Sequence, residues 1–336
     1  MAISSAPLKL IDENGKPSIG VFDSPIPELN FLEFKPPPRH RRVSPNRIKR
    51  WEYLGLVSEE LVVGAAVVSL HFFGNVFFYV FERKLSKLRE FSFMAPLCRG
   101  LSFDSNGVAG TVSFHKGKNR VVMENDRAGA RHRLAVEMGG LRVAAEFADR
   151  QPPLVCATRV GYFGFNYTLK LAGLPVSGEL VLPDKKYQLD PANTFGVIDY
   201  TTGCLARETF WNWAAAGGKD ESGERIGLNL VQGVNDTGVT ENAFWVGERL
   251  VKVDTVSFDY DDRNILAPWR IHSWDGKVDL RFSPEGERFQ NLDLWLMASR
   301  FHQPFGNFSG ALIDDAGVKH TVRDLSGYTE EHFARW

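Results

Sequence analysis

The stretch HRLAVEMGGLRVAAEF, residues 132–147, constrains the fold more than any other. Leu134, Val136 and Met138 alternate with polar or small residues. After Gly139-Gly140 the same happens at Leu141, Val143, Ala145 and Phe147. Apolar residues at every second position place one side of each strand in a core, and a Gly-Gly pair supplies the positive φ that a tight hairpin needs. TVSFHKGKNRVVME repeats the pattern with a turn near Gly117, FWVGERLVKV with a turn near Gly247-Glu248, and ALIDDAGVKHTV with a turn at Gly317. KVDLRF and LDLWLM alternate as well. Long helical periodicity is missing; one short helix is predicted near TEEHFARW, capped by Thr329. These elements predict an all-β, antiparallel protein.

One segment competes with that reading. LVVGAAVVSLHFFGNVFFYVF, residues 61–81, has 21 residues without an acid, lysine or arginine, enough to span a bilayer as a helix. Gly74-Asn75 between two apolar runs argues for a buried hairpin instead, and His71 and Asn75 are costly inside a bilayer.

A weak internal repeat divides the chain. W-E-Y at 51–53, GAAVVSL from Gly64 and FYVFERKL at 78–85 find counterparts in W-N-W at 211–213, GLNLVQG from Gly227 and FWVGERL at 244–250. The second copy needs an insertion around 219–242. This predicts an arm and linker over 1–50, a first β unit over 51–190 and a second over 191–336, joined near DKKYQLDPANTFG.

The 336 residues, with 43% hydrophobic and 24% charged, suit a globular chain, and a net charge of −1 argues against nucleic-acid binding. Three scattered cysteines and an N-terminus without a signal-peptide pattern lead to the expectation of a cytoplasmic protein. The basic run KPPPRHRRVSPNRIKR, 35–50, reads as an extended, solvated arm; weak contact with an anionic membrane surface is one use for it. HExxH, paired histidines, GxSxG and GxGxxG are all missing, so no metal, nucleotide or other cofactor is expected.

Seven of the eight tryptophans lie at or after position 211. Trp211 and Trp213, two apart on a strand, share one face and form an aromatic wall. Near them in sequence stand Asp199, Tyr200, Asn229, Asn235, Asp236, Glu241, Asn242 and Phe244. The loop GVNDTGVTENAFW, 233–245, is longer and more polar than a minimal turn, which suggests a pocket mouth. His71 and His302 are further ligand-contact candidates. If the chain is an enzyme, Asp199, buried among rings and partnered by Tyr200, is the first choice for a neutral acid that protonates an alkene, with Asp236 and Glu241 behind it. For each of these residues core filling or turn formation is the competing explanation.

The runs DYTTGCLARETFWNWAAAGG, GLNLVQGVNDTGVTENAFW and the closing PFGNFSG…SGYTEEHFARW resemble the bacterial family called domain of unknown function 2804. The double-unit layout and the closing GxFxG…G-x-x-E…W pattern are similar, more distantly, to the group of carotenoid hydratases and tocopherol cyclase. That resemblance implies two tandem lipocalin-like, calycin-type β-barrel or β-sandwich units that handle hydrophobic lipid, isoprenoid or polyene ligands. It implies hydratase (lyase) or cyclase (isomerase) chemistry in a barrel pocket. A carbohydrate-active β-sandwich and a non-catalytic lipid carrier stay open as alternatives.

Overall fold

A computed structural model of the chain describes residues 3–37, 41–162, 164–234, 238–293 and 297–336. The protein is all-β, built as two lipocalin-like barrel units, one on a 15-stranded sheet and one on a 9-stranded sheet. Among the described residues the helical segments are three single 3₁₀ turns, at Phe31–Glu33, Pro45–Arg47 and Arg83–Leu85. No helix among them is long and apolar enough to cross a membrane.

The predicted hairpins form. Strands Arg131–Met138 and Leu141–Ala148 pair antiparallel across Gly139 and Gly140, whose φ values of 56° and 83° only glycine adopts freely. Their buried residues alternate along both strands, as the sequence requires. Segment 61–81 is also a hairpin, Leu61–Ser69 with Phe73–Glu82. Its turn lies at Leu70–Phe72, not at Gly74-Asn75, which are already in the second strand; Leu70 N–H bonds to Phe73 O at 2.8 Å.

Each unit opens with a three-strand meander and returns its last strand beside the first. In the first unit Lys49–Val57, Leu61–Ser69 and Phe73–Glu82 are adjacent, and Phe195–Cys204 lies against Lys49–Val57. In the second, Glu208–Lys219, Arg225–Gln232 and Ala243–Val246 are adjacent, and Lys319–Arg335 lies against Glu208–Lys219. Strand for strand, this matches the internal repeat.

Three expectations need correction. The strand 195–204, assigned to the second unit, is paired in the first sheet on both sides, so the changeover falls between Cys204 and Glu208. The predicted arm over 1–50 is not solvated throughout. Gly20–Phe22 pairs with Leu154–Val160, and Leu10, Ile11, Phe34, Val43 and Ile48 are buried in the first core. The closing TEEHFARW is strand, because Lys319–Arg335 is held by neighbours on both edges, which overrides its local helix preference.

Barrel interiors are filled. Leu54, Leu56, Val121, Val136 and Phe147 pack inside the first, and Leu228, Phe244, Trp269 and Phe308 inside the second. A third cluster, with Tyr53, Tyr79, Trp213, Trp245, Phe305 and Tyr328, joins the two units. Because side chains alternate, the same strands feed both cores: Leu54 points into the first barrel and Tyr53 to the other side.

Candidate functional site

The cavity of interest lies between the two units, not inside either barrel. It holds about 120 Å³ and draws its walls from both sides: Trp51, Tyr53 and Lys170 from the first, Trp211, Trp213 and Glu330 from the second. Among the described residues both barrel interiors are lined by buried apolar side chains, and this cavity lies outside those two cores.

Period-two geometry builds the walls. Trp51 and Tyr53 share a face of one strand, and Trp211 and Trp213 share a face of its counterpart. Across the cavity Trp51 and Trp211 stack with centroids 6.4 Å apart and planes 9° apart. Tyr53 meets Trp213 edge-on at 5.5 Å. Trp213 Nε1 donates to Asn229 Oδ1 at 2.8 Å, and Asn229 Nδ2 donates to the carbonyl of Glu241 at 2.7 Å. Asn229 thus anchors both the aromatic wall and the loop that carries Glu241.

Two carboxyl groups face the cavity from strands that close the two units. Asp199 is 5% exposed. Lys170 Nζ sits 2.7 Å from its Oδ2, and Trp51 Nε1 donates to the same oxygen at 3.1 Å. Thr201 Oγ1 donates to Oδ1 at 2.9 Å. Lys170 also lies 3.6 Å from Glu241 Oε2 and 5.2 Å from the Trp213 ring centroid. Burial opposes the Lys170 charge, but Asp199 and Glu241 outweigh it and hold the ammonium above its ordinary pKa.

Glu330 is the other carboxyl. Trp211 Nε1 donates to Oε2 at 3.3 Å, and Gln303 Nε2 donates to Oε1 at 2.7 Å. Burial lifts its pKa to about 7, and the Asp199 charge adds to the rise, against the opposing pull of the Trp211 donor and of the Arg288 and Lys170 charges. Beside it the His332 ring lies tilted against Trp211, with centroids 4.3 Å apart and planes 59° apart, and shares a hydrogen bond with Ser299 Oγ at 3.0 Å. Burial, aided by the charge of Arg288, drops the imidazole to about 3, so it is neutral.

Sequence candidates divide accordingly. Asp199, Glu241, Trp211 and Trp213 line the cavity, and Asn229 stands behind it. Tyr200 does not partner Asp199: as the next residue on the strand it points into the first core, where its hydroxyl donates to Ser105 O at 3.3 Å. Phe244 likewise points into the second core. Asn242 is structural, accepting from Val231 N–H at 2.6 Å and donating to Asp254 O at 3.0 Å. His71 is exposed at the hairpin turn with φ 72°. His302 pairs with Glu287 at 2.9 Å, away from the cavity. Asn235 and Asp236 lie outside the described residues.

Lys170, Glu330, His332 and Trp51 were not singled out by sequence reasoning. Lys170 carried a readable signal: one cation in the apolar strand YTLKLAGL. Glu330 is the acid of the closing G-x-x-E pattern, but a helical reading of that segment scatters Tyr328, Glu330 and His332, which a strand aligns on one face.

A double barrel with a ringed, acid-bearing cavity at its seam defines a two-unit lipocalin-like protein. The chain belongs to the family called domain of unknown function 2804, whose pattern matches residues 2–336. No curated protein matches it. Among solved structures it is similar to a Nitrosomonas europaea protein described as an AttH, with 16% identity and a TM-score of 0.51 over 85% of this chain and 92% of that one. It is also similar to kievitone hydratase from Nectria haematococca, with 11% identity and a TM-score of 0.50 over 86% of this chain and 88% of that one. The protein CghA matches with 10% identity and a TM-score of 0.50 over 98% of this chain and 97% of that one. At these identities the likeness is one of fold.

Proposed function

We propose that the protein binds a hydrophobic small molecule, of the lipid, isoprenoid or polyene class, in the seam between its units and acts on it by acid catalysis. The observation that carries this reading is the Glu330 carboxyl, buried beside Trp211 and Trp213 with a pKa of about 7. An alkene is a weak base, so its protonation needs a neutral, poorly solvated acid. Glu330 gives its proton to one alkene carbon, and the electron pair of the double bond forms the new C–H bond. The neighbouring carbon becomes cationic and is stabilised by the ring faces of Trp211 and Trp213. Attack by water, with loss of its proton to Asp199 or back to Glu330, gives a hydratase. Loss of a proton from an adjacent carbon, or attack by a second double bond followed by that loss, gives an isomerase or cyclase. The fold of kievitone hydratase, a hydratase by name, is consistent with this chemistry. Mostly aromatic and aliphatic walls favour a hydrocarbon over a sugar.

Incubation with prenyl and polyene compounds in deuterated water tests the proposal by mass spectrometry. Gain of one water, or of deuterium at carbon, is expected, and Glu330→Gln should lower it by about 10²–10⁴-fold. Binding without any such change indicates a carrier, and full turnover by Glu330→Gln removes Glu330 as the acid.

A further inference from the structure

A second chamber of about 130 Å³ abuts the first, and the two share Val68, Phe77, Phe301, His332 and Trp336 as walls. Its polar character differs from that of the first. Arg288 lines it and is 1% exposed. The guanidinium lies over the rings of Phe77 at 4.3 Å and Phe301 at 4.8 Å. Its Nε donates to Glu90 at 2.7 Å, while its buried Nη2 has no partner. Arg335 lines the same chamber. Its terminal nitrogens face Glu208 at 3.7 Å and Asp293 at 3.3 Å, and its Nε is buried without a partner.

An arginine carries five donors in a planar fork. Leaving such a donor buried and unpaired is unfavourable, and a well-packed apolar side chain at position 288 would hold the seam together at least as well. Stability therefore gives no reason for a guanidinium there. Complementarity to an anion does, because a planar fork matches a carboxylate. The chamber's histidine adds no positive charge, being neutral through burial and the nearness of Arg288.

We infer that the second chamber seats the carboxylate end of the ligand, so that the molecule handled at the seam is an organic acid with a hydrocarbon tail. Arg288 receives the carboxylate, Arg335 supports it, and the tail passes Phe77 and Phe301 to reach Glu330. This rests on the proposed function above, whose apolar ligand it makes an amphiphilic acid.

Titration of tryptophan fluorescence with geranic acid and with methyl geranate at neutral pH tests the inference. The acid should bind about 10- to 100-fold more tightly than the ester, as expected for a hydrogen bond to a charged group. The Arg288→Gln/Glu90→Gln double variant removes the cation without orphaning Glu90. It should erase that preference, so that acid and ester bind with equal affinity. Arg288→Lys should keep only part of it, since an ammonium lacks the fork. Equal affinity of wild type for acid and ester overturns the carboxylate seat while leaving the apolar cavity in place, as does a preference that survives in the double variant. Failure of both compounds to bind overturns the seat and the hydrocarbon reading together.

Discussion

Across the first unit, a row of adjacent strands places Tyr53 beside Asp199, Asp199 beside Lys170, and Lys170 beside Leu154. Across the second, the corresponding row places Trp213 beside Glu330, Glu330 beside Gln303, and Gln303 beside Arg288. The backbone plan is the same and the charges are not. In the first row an ammonium touches the carboxylate at 2.7 Å; in the second a neutral amide does, also at 2.7 Å, and the cation stands one strand further out. Moving a cation by one strand leaves one carboxyl group against an ammonium and the other against a neutral amide. Two like groups with different neighbours can then serve as acid and base in one cavity.

The comparison breaks hardest at Lys170. Lys170→Met leaves Asp199 and Glu241 buried without their shared cation. Loss of one partner of a buried ion pair typically costs about 3–5 kcal/mol. We expect a loss of that size in urea unfolding, partly restored in Lys170→Met/Asp199→Leu. The counterpart Gln303→Met removes only a neutral donor and should cost about 1–3 kcal/mol. Equal losses at 170 and 303 would show that the two rows do not differ as their charges indicate.

Much of this plan is legible in the sequence, and the reasons for the rest are physical. Alternation identifies strands and Gly-Gly a hairpin, because both depend on neighbouring residues. The W-N-W motif marks one aromatic wall, and W-E-Y is legible only as its counterpart in the internal repeat. Where the cavity sits depends on how the two sheets face each other, and neither motif carries that information. Asp199 is recognisable as a buried acid near tryptophans, but its partner Lys170 belongs to another strand, 29 positions away in the chain. Glu330 is hidden for a different reason: TEEHFARW has a helix-like composition, and only pairing on both edges makes it strand.

A smaller effect follows from the protonation of Glu330. Its folded pKa of about 7 lies above the ordinary 4.5. The folded state therefore holds this proton more tightly than the unfolded state, and stability from this group falls as pH rises from about 4.5 to about 7. The full change is about 3 kcal/mol for a shift of this size. His332, lowered from 6.5 to about 3, has the opposite slope between those values, so the Glu330 contribution is read as the difference between wild type and Glu330→Gln. That difference should decline with rising pH across the window. Gln303→Lys, which copies the first row into the second, should lower the Glu330 pKa and abolish the decline. A difference that stays flat from pH 4.5 to 7 would mean that Glu330 titrates in the folded protein as it does in the unfolded chain.

The smallest effect measures the seam itself. Trp51 and Trp211 occupy matching places in the two units and stack across the cavity at 6.4 Å with nearly parallel planes. Each indole also donates to the carboxyl of its own row, Trp51 to Asp199 and Trp211 to Glu330. Truncating either ring thus removes a hydrogen bond as well as the stack, so single variants mix the two terms. A cycle of Trp51→Leu, Trp211→Leu and the double variant separates them, because each hydrogen bond is lost once in its own single variant while the stack is shared. Aromatic pairs contribute about 0.5–1.5 kcal/mol beyond area burial, which is the coupling expected here. A ligand inserted between the rings would replace their mutual contact, so coupling should fall when a hydrocarbon fills the cavity. Coupling that is zero in the free protein would mean that the two walls meet without recognising each other, and the seam would then be held mainly by the Tyr53, Trp213 and Tyr328 contacts deeper in the third cluster.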